Sequence, residues 1–345
     1  MAGIALLGAG IFPTEALRRI NANLKAIYSR SKKSAASLLA AAEKLGFPAS
    51  EIKLYSDDSE GHELNALLAN ADIGAVVIAL PIPVQPTVIR RALAAGKHVL
   101  AEKPIAKDVA SARELIADYQ KQFEPKGLVL SIAEQFRYME AHDVARKWVV
   151  DDKAVGTLTQ VHARIWRNIK AGGKYIETPW RKVPEYQGGF ILDGGVHHIA
   201  LLRYVSGLEV VETRGFARQT QPHLPPVDTA NSAILLSNGA TGTLSISFAA
   251  GCSATQLDFL GSTGTLACTA DASGTTLTLK ALDGTVTKQE TIESHGIDNE
   301  LKAFLDAVKT GHAEGKAGVY EALNDVAIVE SICSEAGGKV ANWEQ

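Results

Sequence analysis

Through its first 134 residues the chain alternates short apolar runs with stretches of helical character. The runs fall at 3–7, 24–28, 52–55, 75–80, 98–101 and 128–133. Helical stretches fill the gaps at 13–21, in an Ala-rich segment ending at Leu45, at 63–70, in a segment ending at Ala95, and at 108–123. This alternation predicts a parallel, doubly wound α/β sheet with both faces covered by helices. Right-handed crossovers then bring every strand C-terminus to one edge, where ligands bind. Residues 1–134 are expected to form this domain.

From about Gly156 the period changes. Runs at 157–166, 210–217, 229–236, 241–249, 255–260, 265–269, 276–280 and 286–291 are rich in Thr, Val and Ile, and many repeat every second residue. Ser237-Asn238-Gly239, Gly261-Ser262-Thr263-Gly264 and Asp283-Gly284 separate them as hairpin links. Helical patterns at 298–310 and 320–336 close the chain. Residues 135–345 are therefore expected to be an α+β domain with one large, open, mostly antiparallel sheet. A Thr-rich sheet with one semi-apolar face wants a partner surface. A homodimer or dimer of dimers through that sheet is expected.

Composition narrows the classes of function. A length of 345 residues suits two domains. With 46% hydrophobic and 21% charged residues the chain is no disordered, collagenous or coiled-coil protein. A net charge of -3 leaves no electrostatic footprint for nucleic acid or an anionic membrane. The opening MAGIALLGAGIFP lacks a basic segment and is broken by Gly and Pro, and the run at 73–84 is broken by Pro81 and Pro83. Neither suits a signal peptide or a membrane span, so a cytoplasmic protein is expected. The 3 cysteines, Cys252, Cys268 and Cys333, show no metal spacing and no disulfide framework.

Gly8 and Gly10 stand where the first run meets the first helix, a place that suits a pyrophosphate approaching a helix N-terminus. An ordinary glycine turn would read the same way. After the second run, a fold that prefers NAD carries Asp or Glu for the ribose 2′-hydroxyl. This chain has Ser29-Arg30-Ser31-Lys32-Lys33 instead. Cations are mildly unfavourable at a helix start, and Arg30 could bind a 2′-phosphate bidentately. NADP(H) is thus preferred over NAD(H), against the alternative of a solvated charge run.

Two further clusters could carry chemistry. Lys103, in Ala101-Glu102-Lys103-Pro104, follows a strand on the ligand edge. It could donate a proton or anchor a substrate hydroxyl or carbonyl; taken alone, the reading as a surface lysine at a strand end wins. In Gly188-Gly189-Phe190-Ile191-Leu192-Asp193-Gly194-Gly195-Val196-His197-His198, the glycines are costly in a helix and suggest close approach of the backbone to a flat ligand. Asp193 and His197 stand four apart and would share a helical face. A carboxylate there can set the tautomer of an acid/base imidazole; a capping Asp and a packing His are the alternative. His198 is given a structural role.

Together these residues resemble the glucose–fructose oxidoreductase / inositol dehydrogenase / rhizopine catabolism family, Gfo/Idh/MocA, over nearly the whole length. Gly8-Ala9-Gly10 matches its first turn, and Ala95-Gly96-Lys97-His98-Val99-Leu100-Ala101-Glu102-Lys103-Pro104 its most specific signature. Gly188-Gly189 with Asp193-Gly194-Gly195-Val196-His197 matches its second motif, and Trp180-Arg181 the pair that precedes it. Glu300, Phe304, Gly311, Asp325, Glu330 and Gly338 follow its C-terminal pattern. Pro13 and the Ser-Arg-Ser-Lys-Lys run resemble a fungal and yeast NADP-dependent subgroup.

The resemblance implies a Rossmann domain, an open-sheet α/β domain, and hydride transfer at a secondary alcohol or carbonyl of a sugar or polyol. It implies Lys103, Asp193 and His197 as the catalytic set, with a Lys103–Pro104 bond that is often cis. Cofactor residues would be Gly8, Gly10, Ile11, Phe12, Ser29, Arg30, Lys33, Leu80, Pro81, Glu102, Lys103 and Arg137. Trp166, Arg167, Tyr175, Trp180, Arg181 and His197 would line the substrate pocket. No metal is implied. Three positions depart from the pattern: Pro13 replaces a small residue, Gln85 a histidine, and Gln135, before Phe136-Arg137, an asparagine. A dinucleotide-sensing regulator on the same fold is the alternative, although it has no need of Lys103, Asp193 and His197 together.

Overall fold

Six strands form the first sheet: β1 (Gly3–Leu7), β2 (Leu24–Ser29), β3 (Lys53–Ser56), β4 (Ile73–Ile78), β5 (His98–Glu102) and β6 (Leu130–Ala133). Their order is β3-β2-β1-β4-β5-β6, and every neighbouring pair is parallel. This is the doubly wound arrangement expected from the alternation, with the order reversing between β1 and β4. All five residues of β1 are buried, as a strand covered on both faces requires. The helix Lys32–Lys44 shows how the covering works: Ser31 caps it by accepting the Ser34 N–H at 3.3 Å, and Ala35, Leu38 and Ala42 bury one stripe. The coordinates, a computed structural model, describe residues 3–17, 23–334 and 337–340. Residues 18–21 and 335–336 of the expected helices lie outside them.

The second sheet has nine strands: β7 (Leu158–Asn168), β8 (Val210–Arg218), β9 (Thr229–Leu236), β10 (Thr241–Ser247), β11 (Ala249–Gly261), β12 (Gly264–Asp271), β13 (Gly274–Ala281), β14 (Val286–Ile292) and β15 (Gly338–Lys339). They run β14-β13-β12-β11-β7-β10-β9-β8-β15, antiparallel except for the β7–β10 pair. β11 starts earlier than the period suggests because a register shift between Ala249 and Ala254 breaks the alternation there. β15, two residues long, is too short to leave a pattern.

One face of this sheet is apolar. Val161, Ala163 and Ile165 of β7 and Leu244 and Ile246 of β10 are buried on it. The helix Val196–Ser206 packs against β7 from that side. The other face carries Gln160, His162, Arg164 and Trp166 of β7 beside Thr243 and Ser245 of β10.

Two compact units divide the chain: Met1–Ala106, Ala110–Ala133 and Ile297–Val319 form one, and Lys107–Val109, Glu134–Gly296 and Tyr320–Gln345 the other. The helix Gly296–Thr310, which begins two residues before the expected 298, thus departs from the division at 134/135. Its Leu301, Phe304 and Ala307 are buried in the core of the first unit, with Ile4, Leu6, Val77 and Leu100. An amphipathic pattern shows that a helix has a buried face, not which core receives it. Among the described residues no helix is long and apolar enough to cross a membrane.

Candidate active site

The first unit supplies a row of turns at its strand C-termini. Gly8 follows β1 with φ +122°, and a Cβ there would sit 2.2 Å from the Ala79 carbonyl oxygen. Only glycine fits both the conformation and the approach. Gly10 differs: a Cβ on it would meet nothing within 4 Å, so the space before it is open. The helix Ile11–Leu17 starts at the next residue, with first-turn amides that have no partner inside the helix. Pro13 sits in that turn, where its missing N–H removes no helical bond, and it is buried. Phe12, partly buried, packs its side chain against the unit's core. The side chain of Ile11 lies outside the described residues.

After β2 the loop is braced by acids that sequence reading missed. The Tyr28 hydroxyl donates to Asp57 at 2.8 Å, and the Lys32 N–H to Asp58 at 2.7 Å. Burial and the Asp57 bond push the Tyr28 phenol up, while bonds from Ser56 and Lys32 lower the Asp58 carboxyl. Ser29 is buried at the strand end. Arg30 and Lys33 are exposed and make no hydrogen bond or ion pair among the described residues. Asp57 and Asp58 thus hold the loop while its two cations stay available to an anion.

Leu80 and Pro81 follow β4, and the Pro81 carbonyl accepts the N–H of Val84 at 2.9 Å as the helix Gln85–Ala94 begins. Buried Gln85 then does something the sequence did not announce. Its Nε2 donates to the carbonyls of Glu102 and, at 3.1 Å, Pro104. These flank half-buried Lys103, whose bond to Pro104 is cis. The Glu102 side chain is buried, and the residue lines a small cavity with Phe12, Val77, Leu100 and Glu300. Two other residues of the signature are structural. Lys97 Nζ donates to the Asn70 and Ile73 carbonyls at 2.8 and 2.7 Å, and His98 Nδ1 accepts the Val129 N–H at 3.1 Å. Burial lowers the pKa of both.

In the second unit, Ile191–Gly195 is a π-helical turn that runs into the helix Val196–Ser206. The wide turn alters the angle between Asp193 and His197 that a regular helix would impose. Their expected pairing is corrected accordingly. Asp193 accepts from Arg181 Nε at 2.7 Å, and it is Glu134 that holds His197 Nδ1, also at 2.7 Å. The glycines serve internal packing and not a flat ligand: a Cβ on Gly189 (φ +47°) would lie 2.6 Å from the Pro225 carbonyl oxygen, and one on Gly194 2.8 Å from the Phe248 ring. His198 is buried and its pKa pushed down to about 3, by burial first and then by the neighbouring His197 and Arg167.

The expected substrate residues separate. Arg181 lies 4.0 Å over the Trp180 ring, and Trp180 neighbours buried Tyr186, so the three form one cluster with Asp193. Tyr175 is exposed, with Lys174 4.9 Å over its ring. Trp166 is corrected. It donates to Ser245 at 2.9 Å on the open face of the sheet, whereas a Cβ on Gly195, beside His197, would face Ile246 on the opposite face. Arg137 is corrected too. It is buried and bonds both Asp325 oxygens, at 2.9 and 2.8 Å. Arg203, also buried, bonds the same carboxylate at 2.6 Å and Glu209 at 2.7 Å. Burial opposes the Arg203 charge, but Asp325, Glu209 and Glu321 more than offset it and raise its pKa.

Comparison with known proteins agrees with this geometry. Residues 2–125 match the model of an oxidoreductase family with an NAD-binding Rossmann fold, and residues 144–267 that of the GFO/IDH/MocA C-terminal domain. Dehydrogenase FPY6 of Fusarium mangiferae is 35% identical over 97% of both chains. A D-xylose 1-dehydrogenase (NADP+) of Haloferax volcanii is 30% identical over 53% of each. The solved structure of a Thermotoga maritima oxidoreductase superposes with a TM-score of 0.84, at 27% identity over 98% of both chains.

Proposed function

The chain belongs to the Gfo/Idh/MocA family of oxidoreductases, and on that premise we propose that it is an NADP(H)-dependent enzyme that exchanges a hydride with a carbonyl or secondary alcohol of a sugar- or polyol-like molecule. One observation carries the reading. The turn at Gly8–Gly10 after β1, Arg30 after β2, Leu80–Pro81 after β4 and Lys103 after β5 share one edge of a parallel sheet. The residues fit the cofactor: space is open before Gly10, and the exposed cations Arg30 and Lys33 at the end of β2 support binding of a 2′-phosphate. The nicotinamide, when bound, supplies or accepts the hydride.

The chain's own residues do the rest. Arg30 and Lys33 hold the phosphate, and Lys103 Nζ and the His197 imidazole anchor and move the substrate's proton. Arg181 positions Asp193, and Trp180 offers an aromatic face to a sugar ring. The relative from Haloferax volcanii, named for D-xylose and NADP+, supports the substrate class and the cofactor. A homodimer contact through the open sheet face belongs to the same reading. It is supported by Phe216, 75% exposed there, and by Arg164, 5.2 Å over the Trp166 ring on β7 of the same face.

A panel of sugars, polyols, ketones and aldehydes followed at the NADPH absorbance band tests the function. Turnover on at least one sugar-like member is expected. Tight NADP(H) binding with no turnover on any would favour the dinucleotide-sensing alternative. Arg30→Ala tests the cofactor preference. It should raise KM for NADPH about 10- to 100-fold, the worth of a charge-assisted bond, and leave KM for NADH nearly unchanged. Equal changes in both would remove the phosphate assignment.

A further inference from the structure

We infer that Glu134 is a positioning residue for His197: it keeps the imidazole proton on Nδ1 and leaves Nε2 as the nitrogen that takes or gives the substrate's proton. The inference rests on the reading that His197 handles that proton.

Glu134 caps the turn Gln135–Tyr138, where its Oε1 accepts the Phe136 N–H at 3.1 Å. The same oxygen lies 2.7 Å from His197 Nδ1. An oxygen already accepting an amide N–H is placed as an acceptor, so Nδ1 is the donor of the second bond. The two side chains are 3% and 15% exposed, so water competes little for the contact. The ring is fixed in plane as well. Phe136 stacks on His197 with centroids 4.8 Å apart and planes 18° from parallel. Phe136 is itself held, edge-on to His198 at 5.3 Å and through its carbonyl to His142 Nδ1 at 2.7 Å.

Three histidines thus surround one phenylalanine, and they differ by environment. Burial lowers the pKa of His142 and pushes that of His198 down to about 3. His197, the least enclosed, is the one hydrogen-bonded to a carboxylate. Such a partner on the far nitrogen sets the tautomer and stabilises the imidazolium as it forms. In the oxidation direction the substrate O–H bond breaks and its proton joins Nε2; the hydride of the carbinol C–H bond would pass to the nicotinamide when it is bound, as the C–O bond becomes C=O. In reduction both transfers reverse.

Nitrogen NMR of the full chain labelled at histidine tests this, at a pH where His197 is neutral. The His197 signals are assigned by their loss in His197→Gln. The wild type should show His197 protonated at Nδ1. Glu134→Leu should raise the Nε2–H share and lower kcat about 10- to 100-fold, with KM changed little. Glu134→Gln, whose amide oxygen can still accept, should keep Nδ1–H and recover most of the turnover. A wild-type ring protonated at Nε2, or a Glu134→Leu protein with unchanged tautomer and kcat, would overturn the proposal. If Glu134→Leu does not fold, the wild-type spectrum and the Glu134→Gln protein decide. A fully active His197→Gln would refute the proton role of His197, while the tautomer would still report on Glu134.

Discussion

Lys103→Ala is expected to lower kcat about 100- to 10,000-fold, the range for losing a positioned acid or base, with NADP(H) affinity little changed. Lys103 is set apart from the other lysine of its signature by what each touches. Lys97 is buried on two carbonyls and braces β5, so its loss would unsettle the fold. Lys103 stands half-buried at the C-terminal edge, between two carbonyls that Gln85 holds still. That arrangement fixes the backbone that carries the Lys103 side chain. The loss should fall on kcat. Undiminished turnover would remove Lys103 from the chemistry. An equal loss of NADP(H) binding would make it a cofactor ligand and not a proton carrier.

Asp325→Ala should destabilise the second unit by about 3–5 kcal/mol, because it leaves two buried guanidinium groups without their shared anion. Arg137, Arg203 and Asp325 are each 2% exposed in their side chains, so water cannot replace the carboxylate. Glu209 and Glu321 still face Arg203, whereas among the described residues Arg137 would keep only the Glu321 carboxylate, 3.4 Å away. Calorimetry should show the unit's transition falling on the order of 10 °C. A fall of less than about 2 °C would mean that the cluster is not structural. Cofactor affinity of whatever protein folds should be retained, which separates this role for Arg137 from the cofactor role that the family pattern implies.

These cases show what was legible in the chain. The parallel sheet was readable because Val, Ile and Leu runs alternate with helical stretches within a few residues of one another. The β9–β10 hairpin was readable because Asn238-Gly239 names its own turn. The Glu102-Lys103-Pro104 turn and the glycine turn were readable only through the family resemblance, since each alone has an ordinary structural reading. Contacts between distant residues were not. Arg137 meets Asp325 from 188 positions away, and Glu134 meets His197 from 63. Nothing in Ala133-Glu134-Gln135 distinguishes an acid that orients an imidazole from one that faces water. Trp166 was misassigned for a different reason: alternation shows that a strand has two faces, and only the packed structure shows which one the helix Val196–Ser206 covers. The π turn at Ile191–Gly195 likewise has no sequence mark beyond its glycines, and it redirects Asp193 to Arg181.

The central claim is hydride exchange with a sugar-like carbonyl or alcohol, and isotope transfer tests it most directly. NADPH deuterated at the transferring C4 position would be incubated with the chain and a panel of keto- and aldo-sugars, and the products examined by mass spectrometry and NMR. Deuterium is predicted on the carbon of a newly formed hydroxyl, in step with NADPH consumed, and is predicted to be nearly absent with Lys103→Ala. Saturable NADPH binding with no deuterium delivered to any member of the panel would contradict the account.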